Sequence, residues 1–294
     1  MQQLDLFAHG RDVMLRRDVI AAIEARQALP GRAALDKLAT AYPQDSLLPA
    51  LEVLMRTLEA PVMRLSDHES ALSAGELLET VIQSAATRLL SPSSARHWIR
   101  QEWLGLAQAA EGLAFAPMAP QAHAAPYLLR AGAWREAERA VDRIPSWRRI
   151  PRPLAWMAQA SMGREGLTAA WPLLIELAWL DPPGFEGLAR GLEDANLQRL
   201  LRDFDANFEN ESGNGEADPA QEMAWFPAWC ILVEPGLAHL LRQAEPGADR
   251  DPERAARLLL ELLLLEKQGS PPLQQRKTLR GLHAGIFARY MQTR

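Results

Sequence analysis

Apolar side chains recur along this chain at the three- and four-residue intervals of an α-helix, in segment after segment. Asp12 can cap a first helix whose stripe is Leu15, Val19, Ile20 and Ile23, running to about residue 28, with Pro30-Gly31 as its stop. A short helix carrying Leu35, Leu38 and Tyr42 should follow and end at Pro43. Leu51, Leu54, Met55 and Leu58 mark a third helix over 47–59, where Pro49 falls in the first turn and deprives no amide of a helical partner. A fourth is expected over 74–90 on Leu77, Leu78, Val81, Ile82 and Leu89, broken by Ser91-Pro92-Ser93-Ser94. Ser94 then caps a segment carrying Trp98, Trp103, Leu104 and Leu106. No apolar alternation of period two persists anywhere, so the fold class read from the pattern is all-α.

Between residues 125 and 182 the pattern takes a more specific form. Twice, an apolar-faced segment meets a short turn, first at 130–133 and then at 162–165, and a second striped segment follows and closes at proline. That is a helical hairpin written twice. A long helix is expected over 184–208, bent near Gly191. Composition then changes abruptly: 209–219 carries charge and glycine without apolar anchors and is expected to be a mobile acidic loop. Three further helical stretches follow, over 223–242 with a restart at Pro235, 251–268 with Asp251-Pro252 at its head, and 273–290.

The spacing Gly132-Ala133-Trp134-Arg135-Glu136-Ala137-Glu138-Arg139-Ala140 resembles the second-helix entry of tetratricopeptide repeats, and 166–182 is similar to the close of such a unit. Ala137 and Ala170 occupy matching places at an interval near the family's period of about 34 residues. The resemblance covers about two units. It lacks the Trp-Leu-Gly-Tyr part of the family's first helix, and Trp171-Pro172 sits early in a second helix. It implies antiparallel helical hairpins stacked in a superhelix. The expected organisation is an extended N-terminal peptide at 1–9, a helical region at 10–122 and a tetratricopeptide-like region at 123–294.

At 294 residues and a net charge of −5, with 48% hydrophobic residues, the composition is that of a globular chain and does not mark a general binder of nucleic acid or membranes. The sole cysteine, Cys230, sits among apolar residues and reads as inert core; it implies no disulfide. The most apolar run, 258–265, is interrupted by Glu261 and far too short to span a bilayer. A cytoplasmic location is the expectation.

The chain names no chemistry. Its six histidines are scattered, no glycine-rich phosphate loop follows a strand, and no nucleophile elbow is present. The reading therefore assigns no catalytic residues, no metal ligands and no cofactor. Trp134, Trp147, Trp156, Trp171 and Trp179 have two readings: aromatic anchors lining a groove for a partner peptide, or fillers between stacked helices whose alanine faces leave gaps. Arg143, Arg148, Arg149 and Arg152 form a basic cluster between the hairpins that could meet a polyanion, or could complement acidic stretches elsewhere. After Glu266 every charged residue is basic.

The N-terminus is more pointed. Gln3-Leu4-Asp5-Leu6-Phe7 resembles the linear motif by which bacterial polymerases, mismatch-repair proteins and replication regulators dock on the DNA polymerase sliding clamp, and it matches at all five positions. The resemblance implies that Leu6 and Phe7 enter an apolar pocket, Gln3 makes a polar anchor and Leu4 supports the bend, in an extended peptide. The expectation is a helical adaptor that docks on the clamp and holds a second protein or peptide on its helical face. The first alternative is a scaffold whose N-terminal tail packs as core. The second is an enzyme or nucleic-acid-processing factor with an unmarked site.

Overall fold

The structure is a computed structural model and describes residues 2–60, 65–208, 219–268 and 273–293, with side chains from Gly10 onward except at 219 and 220. Among these residues there is no strand. The expected all-α class holds. The acidic segment 209–219 lies, but for Pro219, outside the described residues.

The chain divides into two compact units, Met1–Ala133 and Trp134–Arg294. In the first, α1 (Gln2–Glu24), α2 (Ala28–Ala41) and α3 (Leu48–Glu59) lead. α4 (His68–Leu77) runs through a π-helical turn, Leu78–Ile82, into α5 (Gln83–Leu89), and α6 (Pro92–Ala109) and α7 (Ala124–Arg130) close the unit. Its core joins Val19 and Ile23 of α1 to Leu35 and Leu38, Leu51, Leu54 and Met55, Ile82, Trp98, Trp103 and Tyr127.

Several local signals act differently from expectation. Pro30 starts a helix rather than stopping one. It stands in the first turn of α2, where a missing N–H costs nothing, and the chain reverses instead at Arg26, whose φ is 54°. Gly31 is buried with Met55 above it. Asp67 and Ser70 form a capping box, which starts α4 several residues before the apolar stripe. Ser91, not Ser94, caps α6, its hydroxyl accepting from the Ser94 N–H at 3.2 Å.

The second unit begins with α8 (Trp134–Asp142), α9 (Pro151–Glu165), α10 (Leu167–Leu180) and α11 (Pro182–Gly191). α12 (Ala195–Asn207), α13 (Pro219–Glu222), α14 (Phe226–Val233), α15 (Asp251–Lys267), α16 (Leu273–Leu282) and α17 (Ala284–Gln292) follow, with a 3-10 stretch over Pro235–Gln243. α8 packs on α9, and α9 on α10. The turn between α9 and α10 is a single residue, Gly166, at φ 82° and not the expected 162–165. Only glycine adopts that backbone without strain, and the reversal lays the two helices against each other. Ala137 and Ala170 are both fully buried, as close helix approach requires. Pro172 lies inside α10 and the helix continues past it.

The two compact units are divided between Ala133 and Trp134. The first expected hairpin is thereby divided, α7 belonging to one unit and α8 to the other. The reason is visible on the α7 side: Tyr127 stacks on Trp103 of α6 at 5.9 Å, and Arg100 of α6 donates to the Ala131 carbonyl at 2.8 Å. The expected helix 184–208 is two, because Asp194 caps α12 by accepting from the Leu197 N–H. The expected helix 273–290 is also two, because the His283 ring accepts from the Ile286 N–H and starts α17.

Candidate functional site

The pentapeptide Gln3-Leu4-Asp5-Leu6-Phe7 lies in the first turns of α1, not in an extended tail. Glutamine, leucine and alanine are good helix formers, and Gly10 is the one weak residue before the anchored part of the helix. The side chains of residues 2–9 lie outside the described residues. From Gly10 to Asp18 no side chain is buried; Val13 is 56% and Met14 67% exposed. Burial starts at Val19, and Arg16 pins the helix laterally, its guanidinium bonded to Asp45 at 2.5 Å and to Asp12 at 3.0 Å. Asp12 is therefore an ion-pair partner inside α1 and not its cap.

The five tryptophans separate by burial. Trp156, Trp171 and Trp179 are interior residues of the second unit and fill space between its helices instead of lining a groove. Trp171 meets Phe226 edge to face at 6.1 Å, and the Arg257 guanidinium covers Trp179 at 5.3 Å. Trp134 and Trp147 are half-buried, Trp147 beneath the Arg148 guanidinium.

The arginine cluster also separates. Arg148 pairs with Glu245 at 2.5 Å and lies 3.4 Å from the buried carboxylate of Glu176; Arg149 donates to the Pro246 carbonyl at 2.7 Å. These two tie the turn after α8 to α10 and to the end of the 3-10 stretch. Arg143 and Arg152 are exposed and have no carboxylate partner among the described residues. Burial pushes the Glu176 carboxyl up, against the Glu245 N–H and Arg148, which favour its charged form.

A cleft that sequence reading did not assemble lies where the end of α12 meets α14 and α17. It has a volume of about 310 Å³ and is lined by Asn207, Phe208, Trp229, Ile286, Arg289 and Gln292, among others. The Arg289 guanidinium stands 4.8 Å from the centre of the Trp229 ring, and Phe208 meets the same ring edge to face at 6.2 Å. Trp229 Nε1 is buried and has no acceptor among the described residues. Behind Phe208, burial pushes the His283 pKa down, and Nδ1 accepts from the Ile286 N–H. Phe208, Trp229 and Arg289 come from distant parts of the chain, and only the tertiary packing joins them. The one trace in the sequence is the uncompensated basic charge after Glu266.

Among the described residues no group of histidine, cysteine and carboxylate side chains could hold a metal ion, and no helix is long and apolar enough to cross a membrane. Cys230 is buried and its thiol is pushed up by desolvation. No family model, curated protein or solved structure matches the chain.

Proposed function

We propose that this chain is a non-enzymatic helical adaptor that docks on the bacterial DNA polymerase sliding clamp through Gln3-Leu4-Asp5-Leu6-Phe7. The observation that carries the reading is the match at five consecutive positions, placed at the head of a helix that buries no side chain from Gly10 to Asp18. A docking peptide must leave the body of its protein, and among the α1 residues with described side chains the first packed on the core is Leu15, followed by Arg16 on Asp45 and by buried Val19. Binding in extended form would unwind the first turns of α1. The first four amides of a helix have no helical partner in any case, so an end unwinds at far less cost than a middle.

The body supports the second half of the reading. Helices α9 and α10 reverse on the single residue Gly166 beside fully buried Ala170, and α8, with fully buried Ala137, packs on α9; tetratricopeptide-like hairpins pack in this way, and such stacks present a face to a second protein.

Calorimetric titration of the purified clamp, beside a melting curve, tests the proposal. The wild type should bind on the order of micromolar, since few side chains are buried and the peptide must be ordered. Replacing Leu6 and Phe7 by alanine removes about 1.5–3 kcal/mol of apolar burial for each side chain and should abolish measurable binding while the melting temperature stays put. A tail packed as core gives the reverse: a lowered melting temperature and no clamp binding by either protein.

A further inference from the structure

The cleft between α12, α14 and α17 is rich in donors and poor in acceptors. Its lining holds a guanidinium, two side-chain amides and an indole, and no carboxylate. Arg289 makes no ion pair with any described residue, in a fold where most well-placed arginines do: Arg32 is shared by Glu52 and Glu59, and Arg190 by Glu186 and Asp205. What holds Arg289 is the face of Trp229. A guanidinium stacked on a ring uses its own face for that contact and leaves its N–H groups pointing outward in plane, in the fork that matches a planar oxyanion. Trp229 itself is 3% exposed, so the platform is rigid.

Apolar side chains stand on one side of that cation, and the amides of Asn207 and Gln292 complete the lining. Phe208 is stacked on Phe204 at 4.4 Å and stands edge-on to Trp229; Ile286 is buried beside them. At about 310 Å³ the cleft stands at the low end of small-molecule sites, roughly 300–1,000 Å³. The Asn207 amide nitrogen already donates to the Asp203 carbonyl, so this side chain presents its oxygen, a fit for an amide N–H on the ligand.

We infer that this cleft is a binding site for a small carboxylate carried on an aromatic or bulky apolar body, of the N-acylated hydrophobic amino-acid type. The carboxylate lies in the plane of the Arg289 guanidinium and accepts two of its N–H groups, with Gln292 at the rim. The apolar body rests against Phe208 and Ile286, and an amide N–H meets Asn207. The assignment is independent of the N-terminal peptide and of clamp docking.

The test is a titration of the full chain with N-acetylphenylalanine, its neutral primary amide and inorganic phosphate, followed by calorimetry or saturation-transfer NMR. The carboxylate should bind at about millimolar or better and the amide at least about tenfold more weakly, because only the carboxylate takes the guanidinium fork. Arg289→Gln should bring the carboxylate down to the amide's level, and Phe208→Ala should weaken both. If Arg289→Gln melts early, Arg289→Lys serves instead: it keeps the charge, loses the fork and should still lower affinity. Equal binding of acid and amide overturns the inference, as does phosphate binding as tightly as the acid. Undiminished binding by the Arg289 variants, or no wild-type binding at about 10 mM, overturns it too.

Discussion

Gly163 of α9 faces the indole of Trp134 so closely that a Cβ added to it would lie 2.4 Å from Trp134 Cε2. Trp134 opens α8 and Gly163 lies near the end of α9, so the contact records the antiparallel approach of the two helices. Arg164 and Glu138 brace the same approach at 3.1 Å. Glycine inside a helix costs about 1 kcal/mol relative to alanine, and only packing justifies it here. Gly163→Ala should therefore destabilise the chain by about 1–3 kcal/mol despite its better helix propensity, since a ring cannot give way as a flexible chain can. In a double-mutant cycle, Gly163→Ala should become neutral or favourable once Trp134 is also alanine. Additive denaturation midpoints would contradict the contact.

His283 starts α17 by accepting the Ile286 N–H on Nδ1, a role open only to the neutral ring. Burial among Phe208 and Trp225 lowers its pKa. The unfolded chain then binds the proton more readily than the folded one, so stability should fall as pH drops below the unfolded value of about 6.5. His283→Asn keeps an acceptor for the cap and removes the titration. Its melting temperature should change less between pH 7.5 and pH 5 than that of the wild type, and parallel profiles would refute the assignment.

Glu176 is buried on α10, accepts the Glu245 N–H at 2.9 Å and has its pKa raised by desolvation. A raised carboxyl pKa means that its contribution to stability is fully present below the unfolded value and is lost as pH climbs through the folded one. Ionising Glu176 in the folded chain therefore costs stability, and the hydrogen bond is the useful part. Glu176→Gln keeps an oxygen for the Glu245 N–H and leaves Arg148 paired with Glu245. It should alter stability at neutral pH by less than about 1 kcal/mol, whereas Glu176→Ala strands the amide and should cost about 1–3 kcal/mol. Equal losses for the two variants in urea titrations would show that the charge matters more than the acceptor.

A Cβ added at Gly10 of α1 would meet none of the described residues within 4 Å, so alanine there acts on the helix alone. If the clamp takes Gln3-Leu4-Asp5-Leu6-Phe7 in extended form, a stiffer helix head should bind worse. Gly10→Ala strengthens the helix by up to about 1 kcal/mol and should weaken clamp affinity by up to about fivefold. Gly10→Pro forces the preceding residue out of helical geometry and should tighten binding. Matching affinities for the two variants would show that α1 need not unwind.

Much of the fold was legible in the chain, for a definite reason. The helical stripes Leu51, Leu54 and Met55, or Leu197, Leu200, Leu201 and Phe204, mark buried faces because a helix must bury one side whatever it packs against. Ala137 and Ala170 were singled out by their matching places in the tetratricopeptide-like pattern, and both are fully buried. Helix ends were less so. Pro30 could stop one helix or open the next, and only the contact of Gly31 with Met55 decides which. His283 and Asp194 look like ordinary polar residues until their side chains are seen on the amides they cap. The role of a charge or a ring lay beyond the sequence altogether. Arg148 and Arg149 form one local cluster with Arg143 and Arg152, yet carboxylates brought in by α10 and by the segment after the 3-10 stretch claim the first two only. Trp171 and Trp229 are alike as letters. Both are buried, yet one meets Phe226 and the other forms the platform for an arginine beside a cleft, because α17, far along the chain, folds back onto α14. Periodicity is a property of neighbours in sequence; partnership is set by distant segments, and only the tertiary structure brings those together.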